Sequence, residues 1–312
     1  MEYTKLGRTG LRVSKLGFGT GGHFCLGQRD SVPEQKIHRL IREALDLGYN
    51  LFDTSPDYLE SELILRRSLK GVPRDSYFLS DKVVVSDEER GIPSPTQVRQ
   101  SVEYSLKRLG VDTLDILLVA GSCLSSHFER VRNEHFPVLD KLKKDGKIRF
   151  VGSSEKSSVD GPHDWLKRML EADLVDVVMA GYNIFNQSAD RSIFPLCQKK
   201  NVGVLSIYTV RNAFRDKERL METIANLKCR GLLENKFTTD EFLALIPRGE
   251  TLASVAYKFA AANAAVTTAM VTSSNIAHLR ENSSIFATPD LPDDLISKFR
   301  ELFNRIAIPV GT

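Results

Sequence analysis

The chain has 312 residues, 42% of them hydrophobic and 27% charged, with a formal net charge of +3. This is the composition of an ordinary globular protein with ample core, and its charges fall in short pairs such as Arg66-Arg67 and Lys143-Lys144, without the basic block that nucleic acid requires. The most apolar stretch, Phe259 to Val271, is broken by Asn263 and two threonines and falls short of the ~20 residues that cross a bilayer, so no membrane partner is expected. Met1 to Gly7 is polar and does not read as a secretory signal. Cys25, Cys123, Cys197 and Cys229 are far apart, and the histidines are scattered. Reduced thiols, no metal site and a cytoplasmic location are the expectations.

In chain order, the paired runs "YTKLG" and "LRVSKLG" around Arg8-Thr9-Gly10 predict an N-terminal hairpin near Tyr3 to Val13. Eight short apolar, β-branched runs follow: Leu16-Phe18, Asn50-Asp53, Tyr77-Ser80, Asp115-Val119, Ile148-Ser153, Val175-Met179, Gly203-Ile207 and Thr268-Thr272. Each leads into a helical pattern. After Asn50-Asp53 the chain turns helical from about Ser61. The clearest helix is "SPTQVRQSVEYSLKRLG", with Ser94 as cap, Pro95 in the first turn and Gly110 as stop. Val98, Val102, Leu106 and Leu109 form its apolar stripe. Val210 to Gly249 is long for a connection and reads as an insertion or lid.

Near-continuous apolar strands mean burial on both faces, as in a parallel sheet. Eight βα units predict a closed (β/α)8 TIM barrel, one domain over residues 1–312, with the hairpin closing its bottom. A doubly wound sheet is the alternative. Gly17-Phe18-Gly19-Thr20-Gly21-Gly22 lacks that fold's G-x-G-x-x-G spacing. In a barrel, reactive groups gather at the C-terminal strand ends. Asp53 ends the second strand, Lys82 follows the third and Tyr58 lies on the loop between, so all three face one mouth. Taken alone, Asn50 to Ser61 would read as a capping loop with an exposed tyrosine.

The blocks "KLGRTGLRVSKLGFGT", "GYNLFDTSPDY", "LSDKV", "SLKRLGVDTLDILLV", "LKKDGKIRFVGSS", "YNIFNQ", "NVGVLS" and "SSNIAHLREN", in this order, resemble the aldo-keto reductase family nearly end to end. "FDTSPDY" is similar to its galactose and arabinose dehydrogenase branch. The resemblance implies hydride transfer between a nicotinamide cofactor, NAD or NADP, and a carbonyl or hydroxyl group. Tyr58 would be the acid, with Lys82 and Asp53 as partners; a plain rim salt bridge is the bland reading of that pair. A free phenol titrates near 10, so a neighbouring cation is what makes it useful. The family's histidine at the end of the fourth strand matches Ala120, which cannot donate a hydrogen bond. His23, His127 and Cys123 lie on loops near it, where surface or packing roles are the simpler reading.

Other positions are carried over by the same resemblance. Cofactor contacts would involve Gly19, Thr20, Asp53, Ser153, Ser154, Met179, Ser206, Ile207 and Tyr208. In the last loop they would involve Thr272, Ser273, Ser274, His278, Glu281 and Asn282, with Asn275 starting a helix that can meet a phosphate. The substrate pocket would hold His23, Phe24, Tyr58 and Ala120. The family's serine-asparagine pair matches Ser154-Glu155, its amide-gripping glutamine matches Met179, and its stacking aromatic matches Ile207 or, with a one-residue shift, Tyr208. Thr272 and His278 stand where basic residues often bind the 2′-phosphate, which leaves NAD against NADP open. Three functions are carried forward. The first is an NAD(P)-dependent oxidoreductase acting through Tyr58 on a small, sugar-like or conjugated substrate. The others are a redox-neutral epimerase or lyase, and a catalytically weak cofactor-binding regulatory protein.

Overall fold

Eight parallel strands close into a barrel in a computed structural model of the protein, which describes residues 1–22, 25–156 and 162–310. His23 and Phe24 lie outside the described residues. Ahead of the barrel, β1 (Tyr3–Lys5) and β2 (Arg12–Ser14) form an antiparallel hairpin. The barrel strands are β3 (Leu16–Gly19), β4 (Leu51–Asp53), β5 (Phe78–Ser86), β6 (Leu114–Gly121), β7 (Ile148–Ser154), β8 (Val177–Gly181), β9 (Gly203–Ile207) and β10 (Thr268–Val271). Each pairs with its sequence neighbour, and β10 closes on β3. The (β/α)8 TIM barrel read from the sequence is the fold observed.

Side chains alternate across each strand. Leu51, Ile116, Leu118, Val177, Met179, Leu205 and Met270 point inward and fill the barrel, and Leu6, Leu11 and Val13 of the hairpin join them from below. The hairpin turn is also tied by charge. Arg8 donates to Asp173 at 2.8 Å, to Asp176 at 3.0 Å and to the Val175 carbonyl at 2.8 Å.

β5 and β8 depart furthest from their expected spans. β5 runs on to Ser86, past the expected end at Ser80, because Asp81 and Lys82 break the apolar run without breaking the ladder to β6. β8 starts and ends two residues late, at Val177 and Gly181, with the Asp176 side chain just ahead of it held by Arg8. The helix at Pro95–Leu109 has the expected ends: Ser94 and Gln97 make a reciprocal capping box, and Gly110 closes it in a left-handed conformation. Ser94→Ala is expected to cost about 1 kcal/mol in urea-induced unfolding.

Residues 210–250 carry two helices, Lys217–Cys229 and Thr239–Leu243, between β9 and the helix Leu252–Ala261. Phe214 of this stretch stacks on Phe185 at 5.1 Å, and Phe242 meets Phe299 at 5.6 Å, which fastens the insertion to the barrel's flank. Among the described residues no helix is long and apolar enough to cross a membrane.

Candidate active site

The inward alternation that packs the barrel ends in polar groups at its C-terminal mouth. On β4, Leu51 points in and so does Asp53; on β5, Phe78 and Ser80 are followed by Lys82. Lys82 Nζ lies 2.5 Å from Asp53 Oδ2 and donates to the Thr54 carbonyl at 2.8 Å. Ser80 Oγ donates to the other Asp53 oxygen at 2.9 Å. Both charged side chains are only 7% exposed. Tyr58 arrives from the β4 loop, where its carbonyl accepts from Ser61 Oγ at 2.6 Å. Its ring comes within 4.9 Å of the Lys82 ammonium, measured to the centroid. The ring lies so close on Gly21 that a Cβ there would sit 2.5 Å from it.

The electrostatics of the trio follow from burial and pairing. Burial pulls the Lys82 ammonium down, but Asp53 and Tyr58 together more than offset this and hold it above the usual lysine range. Burial raises Asp53, and Lys82 opposes that rise. For Tyr58 the ammonium pulls down, while burial and the Asp53 carboxylate push up, with a net upward shift. The phenol is therefore protonated at neutral pH, beside a fixed cation.

Ala120 follows Leu118 inward at the end of β6 and is paired with Val84 of β5. Thr20 and Thr54 share a buried hydrogen bond of 2.9 Å at the same rim. Ser154 ends β7 facing the mouth. Ser153 faces the other way: its hydroxyl donates to the Val119 carbonyl and accepts from the Trp165 indole at 2.9 Å. Ser206 is likewise spent behind the sheet, on Thr209 and the Tyr182 carbonyl. Met179 and Ile207 pack with the interior cluster below the mouth. Tyr208 takes a left-handed φ of 62°, lies against Gly181, and carries the Arg211 guanidinium 3.8 Å from its ring centroid.

Nothing in the sequence marks the buried chain built on Glu155. One of its oxygens accepts from Gly181 N–H at 2.6 Å, and the other meets His163 Nδ1 at 2.5 Å. His163 Nε2 then reaches Ser188 Oγ at 2.7 Å. The carboxylate is thereby consumed in joining the ends of β7 and β8.

Past β10, Thr272 sits against the side-chain-free faces of Gly19 and Gly22: a Cβ on either would come within 3.0 or 3.3 Å of it. The helix Ile276–Ser284 starts at Asn275, whose side chain accepts from Ala277 N–H at 2.8 Å. Ser274, His278 and Glu281 are exposed on this segment, with Ser273 and Asn282 partly so. Arg280, the one guanidinium of the helix, is turned to Glu43 at 2.6 Å. Among the described residues no group of three or more metal-ligating side chains assembles.

A barrel of this geometry serves many chemistries, so relatives decide the family. The profile of the Aldo/keto reductase family matches residues 15–304. The chain belongs to that family. It is 30% identical over 228 residues to the NADH-specific methylglyoxal reductase of Escherichia coli strain K12, covering 67% of this chain and 67% of that protein. It is 35% identical over 221 residues to the L-galactose dehydrogenase of Arabidopsis thaliana, covering 66% of this chain and 64% of the relative. The holo form of aldo-keto reductase AKR11C1 from Bacillus halodurans superposes with a TM-score of 0.75 at 24% identity, over 98% of each chain, a likeness of fold. This aldo-keto reductase is thus an oxidoreductase of a family that acts on small molecules and generally uses NAD(P)H.

Proposed function

We propose that this aldo-keto reductase transfers a hydride between NAD(P) and a small oxygenated carbonyl compound, with Tyr58 as general acid and base. The observation that carries the reading is the buried Asp53–Lys82 pair set against the Tyr58 ring. A bare salt bridge needs no phenol beside it, and charges this deeply placed are expensive unless paired. Methylglyoxal and an open-chain hexose, the compounds in the relatives' names, each carry an oxygen beside an aldehyde carbon.

The residues fit the cofactor best at its anionic and adenine end. Thr272 against the cradle of Gly19 and Gly22, the hydroxyls of Ser273 and Ser274 and the helix start at Asn275 can receive phosphates, with Glu281 and Asn282 toward adenine. At the other end Ser154 offers a hydroxyl, and Tyr208 an aromatic face. The bound dinucleotide supplies or accepts the hydride at the substrate carbon. Every other step falls to the chain: Tyr58 gives its proton to the substrate oxygen, and Lys82 stabilises the phenolate left behind. Asp53 holds the ammonium in place.

With Arg280 turned to Glu43, the helix Ile276–Ser284 holds no other guanidinium for a 2′-phosphate. Calorimetric titration is expected to show NADH binding at least as tightly as NADPH. If neither binds below millimolar, the oxidoreductase reading falls.

Ala120 removes a donor that would face the substrate oxygen. A lost donor of this kind costs ~10²- to 10³-fold in rate. Ala120→His is therefore expected to raise kcat/KM on simple aldehydes at least tenfold and lower it on the bulkier native substrate. An unchanged profile would show that the space beside Tyr58 is not where substrate sits.

A further inference from the structure

The loop leaving β6 turns back directly past Ala120. Gly121 holds φ +115°, and a Cβ there would lie 2.0 Å from the Ser86 carbonyl oxygen, so the approach requires glycine. Ser122 N–H donates to that same carbonyl at 2.7 Å. Cys123 then takes a left-handed φ of 51°, and a short 3-10 turn at Ser125–His127 brings the chain back to the rim. There His127 Nδ1 meets Ser86 Oγ at 2.8 Å.

Ser86 is itself displaced. Val84 pairs with Ala120 and Ser86 with Gly121, so one residue of β5 bulges between them. Bulges of this kind re-aim side chains beside sites. Ser86 is fully buried, while His127 is partly exposed. One imidazole nitrogen is thus pinned from below, and the other, Nε2, carries no hydrogen bond to any described residue. Ser86, which holds the ring, is paired one residue past the Val84–Ala120 pair, so the imidazole is held at the mouth end of the two strands that flank Ala120.

We propose that His127 is a specificity-determining contact: its Nε2 hydrogen-bonds an oxygen on the carbon adjacent to the reacting one. The favoured substrates are then α-oxygenated carbonyl compounds, 2-hydroxy and 2-oxo aldehydes and sugars, over simple aldehydes. Ser86 is the positioning residue. Its hydroxyl donates to Nδ1 and so leaves the proton on Nε2, the tautomer that can donate to substrate. The inference rests on the carbonyl-reduction reading and names the substrate class of the same site.

The test compares two three-carbon aldehydes, glyceraldehyde and propanal, in NADH and NADPH oxidation by the full chain. Wild type is expected to favour glyceraldehyde in kcat/KM. His127→Ala is expected to lower the glyceraldehyde-to-propanal ratio about tenfold or more, chiefly through KM, as for a lost substrate hydrogen bond. Ser86→Ala should lower it part of the way, and Ser86→Thr, which keeps the hydroxyl, should restore it. Ratios within twofold of wild type in both alanine variants, with unchanged thermal midpoints, overturn the proposal while leaving carbonyl reduction standing. A wild type that oxidises neither cofactor with either aldehyde overturns both.

Discussion

Tyr58→Phe is expected to lower kcat/KM for carbonyl reduction by about 10²- to 10⁴-fold, the range that a positioned general acid contributes. The ring that packs on Gly21 is kept and only the hydroxyl goes, so thermal stability should barely move and cofactor affinity should hold. The loss belongs in kcat. The pH dependence follows from the same phenol. Its upward shift means that the acid form persists through neutrality, so reduction in the wild type should be level there and decline only above the ordinary phenol value of about 10. Oxidation of the alcohol, which needs the phenolate, should climb over the same range. Retention of wild-type turnover in Tyr58→Phe would remove Tyr58 from the chemistry.

The barrel was legible because each strand is a short apolar run bounded by breakers, and because eight of them with helices between admit few arrangements. What resisted reading was polarity inside a strand. Asp81 and Lys82 interrupt β5 and hid its second half, since an unpaired lysine at that depth would end a strand; only Asp53, 29 residues earlier, makes it tolerable. The gathering of Asp53, Tyr58 and Lys82 was accessible from strand ends alone. Ser153 against Ser154 was also decidable, because neighbours on a strand face opposite ways and one of them had to meet the outer helix through Trp165. The Glu155–His163–Ser188 chain had no such handle: its members, 8 and 25 residues apart, come from the end of β7 and from two separate later segments. The pinned His127 needed the backbone itself, since it depends on a bulge at Ser86 and left-handed turns after Ala120.

Lys82→Met is expected to do two separable kinds of damage. Catalytically it takes away the cation that lowers the cost of a phenolate, so reduction should fall at least as far as in Tyr58→Phe. Structurally it leaves the Asp53 carboxylate buried with Ser80 as its remaining side-chain donor, a loss of ~3–5 kcal/mol for breaking a buried pair from one side. The two effects part company with pH. Burial already pushes Asp53 upward, and without the ammonium nothing of comparable strength opposes that push. A carboxyl whose folded value exceeds its unfolded value of about 3.9 penalises folding once the pH passes above that unfolded value, and the penalty is complete above the folded one. Lowering the pH from 8 to 5 should therefore restore part of the stability of Lys82→Met, measured as the urea midpoint. Asp81, turned outward and also raised well above the usual range by burial and Glu62, adds in the same direction. In the wild type the same change should stabilise less: Asp81 and the raised Asp53 still gain, but the ammonium opposes the Asp53 rise, and the Lys82 contribution is fully present at any pH below the lysine range. The double variant Asp53→Asn with Lys82→Met removes both charges and should recover most of the lost stability and none of the activity. If the single variant is as stable as wild type at pH 8, the pair is not the buried anchor that its geometry describes.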